Sequence, residues 1–382
     1  MVVGDSNIRV RLGVLPALVV AVVSAGCGAE SSADATSDDA DACADDGIGP
    51  PATPPVDILV LVDTSGSVAQ EQAALAARFP DLLDELLNPS DADGDGRPDH
   101  PAVTDIHVGV ISHELGTAGY VFPGCERDLY VGDNGCLLAT PSPAVTGCAP
   151  SYPNFLDYDP ASDPTYSAEA LARDFTCIGT LGTDGCGPER VFEAMERATT
   201  TNVEPRRCNE GFLRPDSVLA LIFEHDEDDC SPLPDHPEML DPYGTDLGPF
   251  LLRCFLHPEY ARSVESFAAA FRALRADHPE RLVVGMIVGV PPDAPQCIGS
   301  GENLGDCLAV PAMVERVDPA VTTMLIPSCN NSMGLAFPPV RFVRLALLLG
   351  DAAYVGSVCE SDWRETTRGI ARKIGERLAP AP

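Results

Sequence analysis

Five compact apolar runs, separated by helical or turn-rich sequence, set the tightest limit on how this chain folds. They occupy 56–62, 106–112, 217–223, 281–290 and 352–358. Each is short, rich in β-branched residues and largely without an alternating polar face, which suits a strand buried on both sides in a parallel sheet. Helical patterns lie between them. Leu75, Phe79, Leu82, Leu83, Leu86 and Leu87 recur at helical spacing, with a kink or break expected at Pro80 and a stop at Asn88-Pro89. Further helices are expected over 189–198, around Phe267, Phe271 and Leu274, over 340–349 and over 362–378. Strands alternating with helices predict an α/β architecture with a doubly wound, mostly parallel sheet. It spans 56–378 and carries loop-rich insertions at about 113–187, 227–260 and 291–337.

The first run ends abruptly in Asp63-Thr64-Ser65-Gly66-Ser67. In an open α/β sheet, ligands bind in the crevice beyond the carboxyl ends of the strands. Asp63, Ser65 and Ser67 stand there, and an all-oxygen set favours a hard cation such as Mg²⁺ or Ca²⁺. The plain alternative is a strand-to-helix turn with Ser67 as N-cap and Asp63 as a turn acid. An aspartic-protease turn does not fit, because Ser65 separates Thr64 from Gly66 and no second copy occurs. Two later stretches end in the same chemistry. Gly182-Thr183-Asp184-Gly185-Cys186-Gly187-Pro188 leads into a helix whose start is marked by Pro188 and Glu189. The run 217–223 ends in Glu224-His225-Asp226-Glu227-Asp228-Asp229-Cys230, a cluster that by itself reads as solvated acid. His107, inside the second run, reads as a packed or surface histidine.

Asp63-Thr64-Ser65-Gly66-Ser67 resembles the Asp-x-Ser-x-Ser metal-ion-dependent adhesion site of von Willebrand factor type A (vWA) domains, a Rossmann-like fold. The resemblance spans roughly 56–378. It implies that Ser65, Ser67 and a loop threonine ligate the cation directly, with Thr183 in that role and Thr180 as fallback. It also implies an acid at the end of the 217–223 strand, which with Asp63 orients metal-bound waters. Asp226 fits by register, with Glu224 or Asp228 as substitutes. Neutral direct ligands leave the cation electrophilic, so its open position seeks a carboxylate on a protein or matrix partner. The implied function is recognition through Mg²⁺, Mn²⁺ or Ca²⁺ rather than turnover. A metal-dependent hydrolase is the alternative, with Asp226, Glu227 or His225 as base, although no hydrolase or kinase signature accompanies it. A structural envelope protein without an active metal site is the third reading.

A second acidic stretch, Asp91-Ala92-Asp93-Gly94-Asp95-Gly96-Arg97-Pro98-Asp99, resembles the first half of a calcium-binding EF-hand loop through Asp91, Asp93, Asp95 and Asp99. Its twelfth position is Ala102 rather than a bidentate glutamate, and a plain acidic turn is the competing reading.

The charge balance excludes some partners. With 24 basic residues against 58 acidic ones and a formal charge of −34, the surface repels nucleic acid and anionic membranes. Residues 1–27 read as an export signal: Arg9 and Arg11, an apolar stretch over 14–23, then Ala25-Gly26-Cys27, which resembles a lipobox with Cys27 as the lipidated residue. Ser24 departs from the usual apolar residue of that motif. An outer-membrane or cell-surface lipoprotein is expected, with periplasmic or secreted protein as the alternative. Residues 28–55 read as a disordered acidic tether. Fourteen scattered cysteines without paired C-x-x-C motifs point to disulfides in an oxidising compartment. Cys177–Cys186 and Cys329–Cys359 are the expected bridges, bracing the loop that carries Thr183 and tying a late loop to the last strand.

Overall fold

The computed structural model describes residues 53–92, 94–122 and 129–378. The stretch read as an export signal, Cys27, nearly all of the expected tether and Asp93 lie outside the described residues. The elements run β1 (Val56–Val62), α1 (Ala69–Leu87), β2 (Ile106–Ser112), β3 (Leu156–Tyr158), α2 (Ala168–Gly179), α3 (Val191–Thr199), β4 (Val218–His225), α4 (Arg253–Leu256), α5 (Val264–Ala273), β5 (Leu282–Val288), β6 (Gly299–Ser300), β7 (Cys329–Asn331), β8 (Gly334–Ala336), α6 (Val340–Leu349), β9 (Ala353–Ser357) and α7 (Arg364–Glu376).

Seven strands form one mixed sheet in the order β3-β2-β1-β4-β5-β9-β6. The five inner strands, which are the five apolar runs, are parallel. The two short edge strands, β3 and β6, are antiparallel to their neighbours. Helices cover both faces. Leu59, Leu61, Leu221 and Phe223 point to one side, against Phe192 of α3, Phe267 of α5 and Phe342 of α6. Ile58, Val60 and Ile222 point to the other, against Phe79 of α1, Phe175 of α2 and Ile370 of α7. The period-two alternation of the strands therefore feeds two separate cores, which is why the runs lack a polar face.

Three expectations need correction. Pro80 does not break its helix: α1 runs unbroken from Ala69 to Leu87 with Pro80 inside it. The stretch 113–187 is not merely loops. It contains α2, capped by Ser167, whose hydroxyl accepts from the Ala170 amide at 3.2 Å. Leu171, Phe175 and Ile178 lie on its buried stripe, and Phe175 stacks on Phe79 with ring centroids 3.6 Å apart. The late insertion likewise contributes β6 to the sheet and the β7–β8 hairpin. Third, Cys177 pairs with Cys148, not Cys186. Cys186 is itself in a disulfide. Cys329–Cys359 is present as expected, joined by Cys136–Cys208, Cys230–Cys254 and Cys297–Cys307.

Candidate metal centre

The register of the sheet builds the site. Val62 of β1 lies opposite Ser112 of β2 and Glu224 of β4. One residue further, Asp63 therefore stands level with His113 on one side and His225 on the other. The pleat turns all three side chains the same way as Leu61, Ile111 and Phe223, toward α3. There Glu189, two residues before α3, meets them. All four residues are buried. This is also the point where the strand order reverses between β1 and β4, the usual crevice of such sheets.

The oxygen cluster expected from sequence assembles beside it. The Ser65 amide donates to Asp63 Oδ1 at 2.7 Å. Ser65 Oγ lies 3.2 Å from Ser67 Oγ, which donates to Asp226 Oδ2 at 2.6 Å. Asp226 Oδ1 is buried without a hydrogen-bond partner. Ser67 and Gly66 are exposed, so the group opens outward. Ser67 is not the helix cap: Val68 holds that position without a side-chain cap bond. The substitutes for Asp226 have other partners. Glu224 Oε2 accepts from the Asp63 amide at 3.2 Å, and both oxygens of Asp228 accept from the Arg341 amide, at 3.1 and 2.9 Å.

The loop that carries Thr183 is docked on this turn at both sides. Gln72 of α1 donates from Nε2 to the carbonyls of Asp63 at 2.6 Å and Gly182 at 2.9 Å, and its Oε1 accepts from the Gly182 amide at 3.1 Å. The Gly185 amide donates to the Thr64 carbonyl at 2.8 Å. A Cβ on Gly185 would stand 2.5 Å from that carbonyl oxygen, so only glycine permits the approach. Thr183 itself is half-buried, and its hydroxyl makes no hydrogen bond among the described residues. The fallback, Thr180, donates its hydroxyl to the Thr176 carbonyl of α2 at 2.9 Å.

Asp63, His113, Glu189 and His225 form a group that can hold a metal ion. His225 Nε2 lies 3.3 Å from Asp63 Oδ2 and 3.0 Å from Glu189 Oε2. His113 places Nδ1 3.7 Å from Asp63 Oδ1 and Nε2 3.4 Å from Glu189 Oε2. Burial pushes the Asp63 carboxyl up, but His225, His113 and the Ser65 amide outweigh it and hold the group below its usual value. Burial pushes His225 down, while Asp63 and Glu189 bring it well above the usual imidazole value. Burial and then the Asp63 charge push both Glu224 and Asp226 far above the carboxylate range. Among the described residues no lysine or arginine pairs with Asp63, Glu71, Glu114, Glu189, Glu224, Asp226 or Glu227. So many carboxyls gathered under cover call for a cation.

Sequence reasoning did not pick out His113, Glu189 or, as a ligand, His225. The signal was positional: each of the two histidines sits at the carboxyl end of a strand that flanks β1.

A pocket of about 330 Å³ abuts this group, with Glu189, Glu227 and Asp228 on its acidic side and Leu240, Phe250 and Phe337 among its apolar walls. Burial, with the charge of Glu189 next, pushes Glu227 up to about 8. The loop at 91–99 is separate. There Asp91 accepts from the amides of Asp95 and Gly96 at 3.0 and 2.9 Å, Asp95 from Arg97 at 2.8 Å, and Asp99 from Ala92 at 3.1 Å. These bonds fold the loop back on Asp91, and no helix follows before β2. His107 is packed, with Nδ1 2.8 Å from the Phe212 carbonyl and its ring against Phe155. No protein-family model matches the chain, and no curated protein matches it.

Proposed function

We propose that the chain is an exported binding protein of vWA type that uses a divalent cation, Mg²⁺ or alternatively Mn²⁺ or Ca²⁺, to recognise a carboxylate on a protein or matrix partner. Ser65, Ser67 and Thr183 supply neutral direct ligands, while Asp63 and Asp226 act through water. The observation that carries this reading is the bond from Ser67 to Asp226. It joins the turn after β1 to the end of β4, with Ser65 alongside, one Asp226 oxygen left over and Ser67 open to solvent. A strand order of 3-2-1-4-5 before the last two strands, with an antiparallel β3, supports the fold assignment. The disulfides support an oxidising compartment, in keeping with an envelope lipoprotein anchored at Cys27 or with secretion. Recognition ranks above hydrolysis because the direct ligands are neutral hydroxyls and no side chain is set apart as a base.

Calorimetric titration of chelator-stripped protein with Mg²⁺, Mn²⁺ and Ca²⁺ tests the reading. One saturable Mg²⁺ or Ca²⁺ site is expected in the wild type and none in the Ser65→Ala/Ser67→Ala double variant, with the Mn²⁺ heat reduced in the variant. A chelator-sensitive pull-down from envelope or matrix extract should fail with the same variant. No heat from the wild type with any of the three ions, or full binding by the double variant, refutes it.

A further inference from the structure

We infer that Asp63, His113, Glu189 and His225 form a second metal site, closed by four protein donors, that takes a transition-metal dication of the zinc class. It lies behind the all-oxygen group of Ser65, Ser67 and Asp226 and differs from it in chemistry. Imidazole donors suit zinc and its neighbours, whereas Mg²⁺ and Ca²⁺ take oxygen.

Four observations carry the inference. The first is spacing. Tetrahedral donors bound at about 2.0–2.1 Å lie about 3.3–3.4 Å from one another. The donor atoms here stand 3.0 Å (His225 Nε2 to Glu189 Oε2), 3.3 Å (His225 Nε2 to Asp63 Oδ2) and 3.4 Å (His113 Nε2 to Glu189 Oε2) apart. The second is the set of orphaned atoms. Asp63 Oδ2, Glu189 Oε2, His225 Nε2 and both ring nitrogens of His113 are buried and make no well-directed hydrogen bond, although close to one another. Buried polar atoms left so destabilise the fold. Four metal bonds satisfy all of them but one ring nitrogen of His113, while protons alone leave the misalignment in place.

The third observation is the back of the ring. His225 Nδ1 lies 3.1 Å from the Glu227 carbonyl and, in its other tautomer, accepts from the Glu227 amide at 3.1 Å. In the tautomer that donates to the carbonyl, Nε2 presents a lone pair to the centre, the usual arrangement behind a metal-bound histidine. The fourth is charge. Two carboxylates and two neutral imidazoles balance a dication, so the buried assembly is neutral. Glu189 also lines the 330 Å³ pocket.

With four protein donors the site is closed and structural in kind. It ties β1, β2, β4 and the approach to α3 together and holds Asp63 in place beneath the outer cation group. The inference does not depend on that outer group binding anything, and the test separates the two.

Full-length protein, stripped of metal and then equilibrated with equimolar Zn²⁺ in excess Mg²⁺, is gel-filtered and its metal content measured by plasma mass spectrometry. One equivalent of zinc per chain is expected in the wild type and in Asp226→Asn. In His113→Ala/His225→Ala, retention should fall at least tenfold. Absence of zinc from the wild type overturns the inference, as does full retention by the double variant or loss from Asp226→Asn. Should the double variant not fold, Co²⁺-loaded wild type decides. Intense visible absorption of a tetrahedral ion with nitrogen donors is expected, and a weak octahedral spectrum or no uptake overturns the proposal.

Discussion

Gly185→Ala is a test of how the Thr183 loop is held, because it changes no proposed ligand. The added methyl would stand 2.5 Å from the Thr64 carbonyl oxygen, 2.6 Å from Glu114 Oε1 and 2.6 Å from Thr64 Oγ1. Thr64 is completely buried, and its carbonyl belongs to the turn that carries Ser65 and Ser67. Ordinary contact begins near about 3.4 Å, so the loop must retreat by about 0.9 Å. Overpacking of this kind costs about 1–3 kcal/mol. The 2.8 Å bond from the Gly185 amide to the Thr64 carbonyl is stretched or lost, at about 1 kcal/mol. The sum, about 2–4 kcal/mol, lowers Tm by about 3–6 °C for a domain of this size. Displacing the loop that bears Thr183 should also weaken Mg²⁺ binding by roughly 10–100-fold, as other supporting contacts of metal sites do. Scanning calorimetry and Mg²⁺ titration read the two effects. Gly66→Ala is the matched control: its Cβ meets nothing within 4 Å, so its Tm should stay at the wild-type value. Wild-type Tm and Mg²⁺ affinity in Gly185→Ala would refute the docking argument.

Two further predictions address stability away from the outer ligands. Asp57 is fully buried at the opposite end of β1, where its oxygens accept from the Arg214 amide at 2.7 Å, Arg214 Nε at 2.8 Å and Ser217 Oγ at 2.5 Å. Asp57→Ala leaves that guanidinium without its buried partner and should cost about 3–5 kcal/mol in urea unfolding, with Mg²⁺ affinity unchanged in the folded fraction; a cost below about 1 kcal/mol would count against it. Glu71 of α1 is buried, and burial, with the Asp63 charge adding to it, pushes it up to about 7. A carboxyl raised in the fold keeps its proton while the unfolded chain loses one, so metal-free protein should lose stability as pH rises from about 4.5 to about 7. Glu71→Gln should flatten that slope, and an unchanged slope in urea titrations across the window would show that Glu71 does not cause it.

Much of the scaffold was legible because strand burial writes itself into composition. The runs at 56–62 and 106–112 and the helix at 340–349 match β1, β2 and α6 residue for residue. Other features yielded to context. Local propensity disfavours Pro80 within a helix, yet Phe79, Leu82 and Leu83 pack α1 against α2 and α7, and burial on this scale outweighs one missing hydrogen bond. The helix α2 did carry a period, with Leu171, Phe175 and Ile178 one turn apart, but surrounding cysteines and turns obscured it. The residues Asp63, Ser65, Ser67 and Asp226 were readable because two short motifs each end a strand. His113 and Glu189 were not, since their meeting depends on the pairing register of β1 with β2 and on where the chain enters α3. Neither is visible from spacing along one segment.

The edges of the sheet bear on how a partner can approach. At one margin β3 offers three residues, and at the other β6 offers two, both running against their neighbours. A margin that short presents almost no free row of amides and carbonyls, which blunts sheet-to-sheet aggregation. It equally denies a visiting peptide the template for adding a strand. The recognition proposed above would thereby rest on side chains and loops at the ends of the strands, and the proposed partner would have to bring a shaped, chemically matched knob rather than an extended segment.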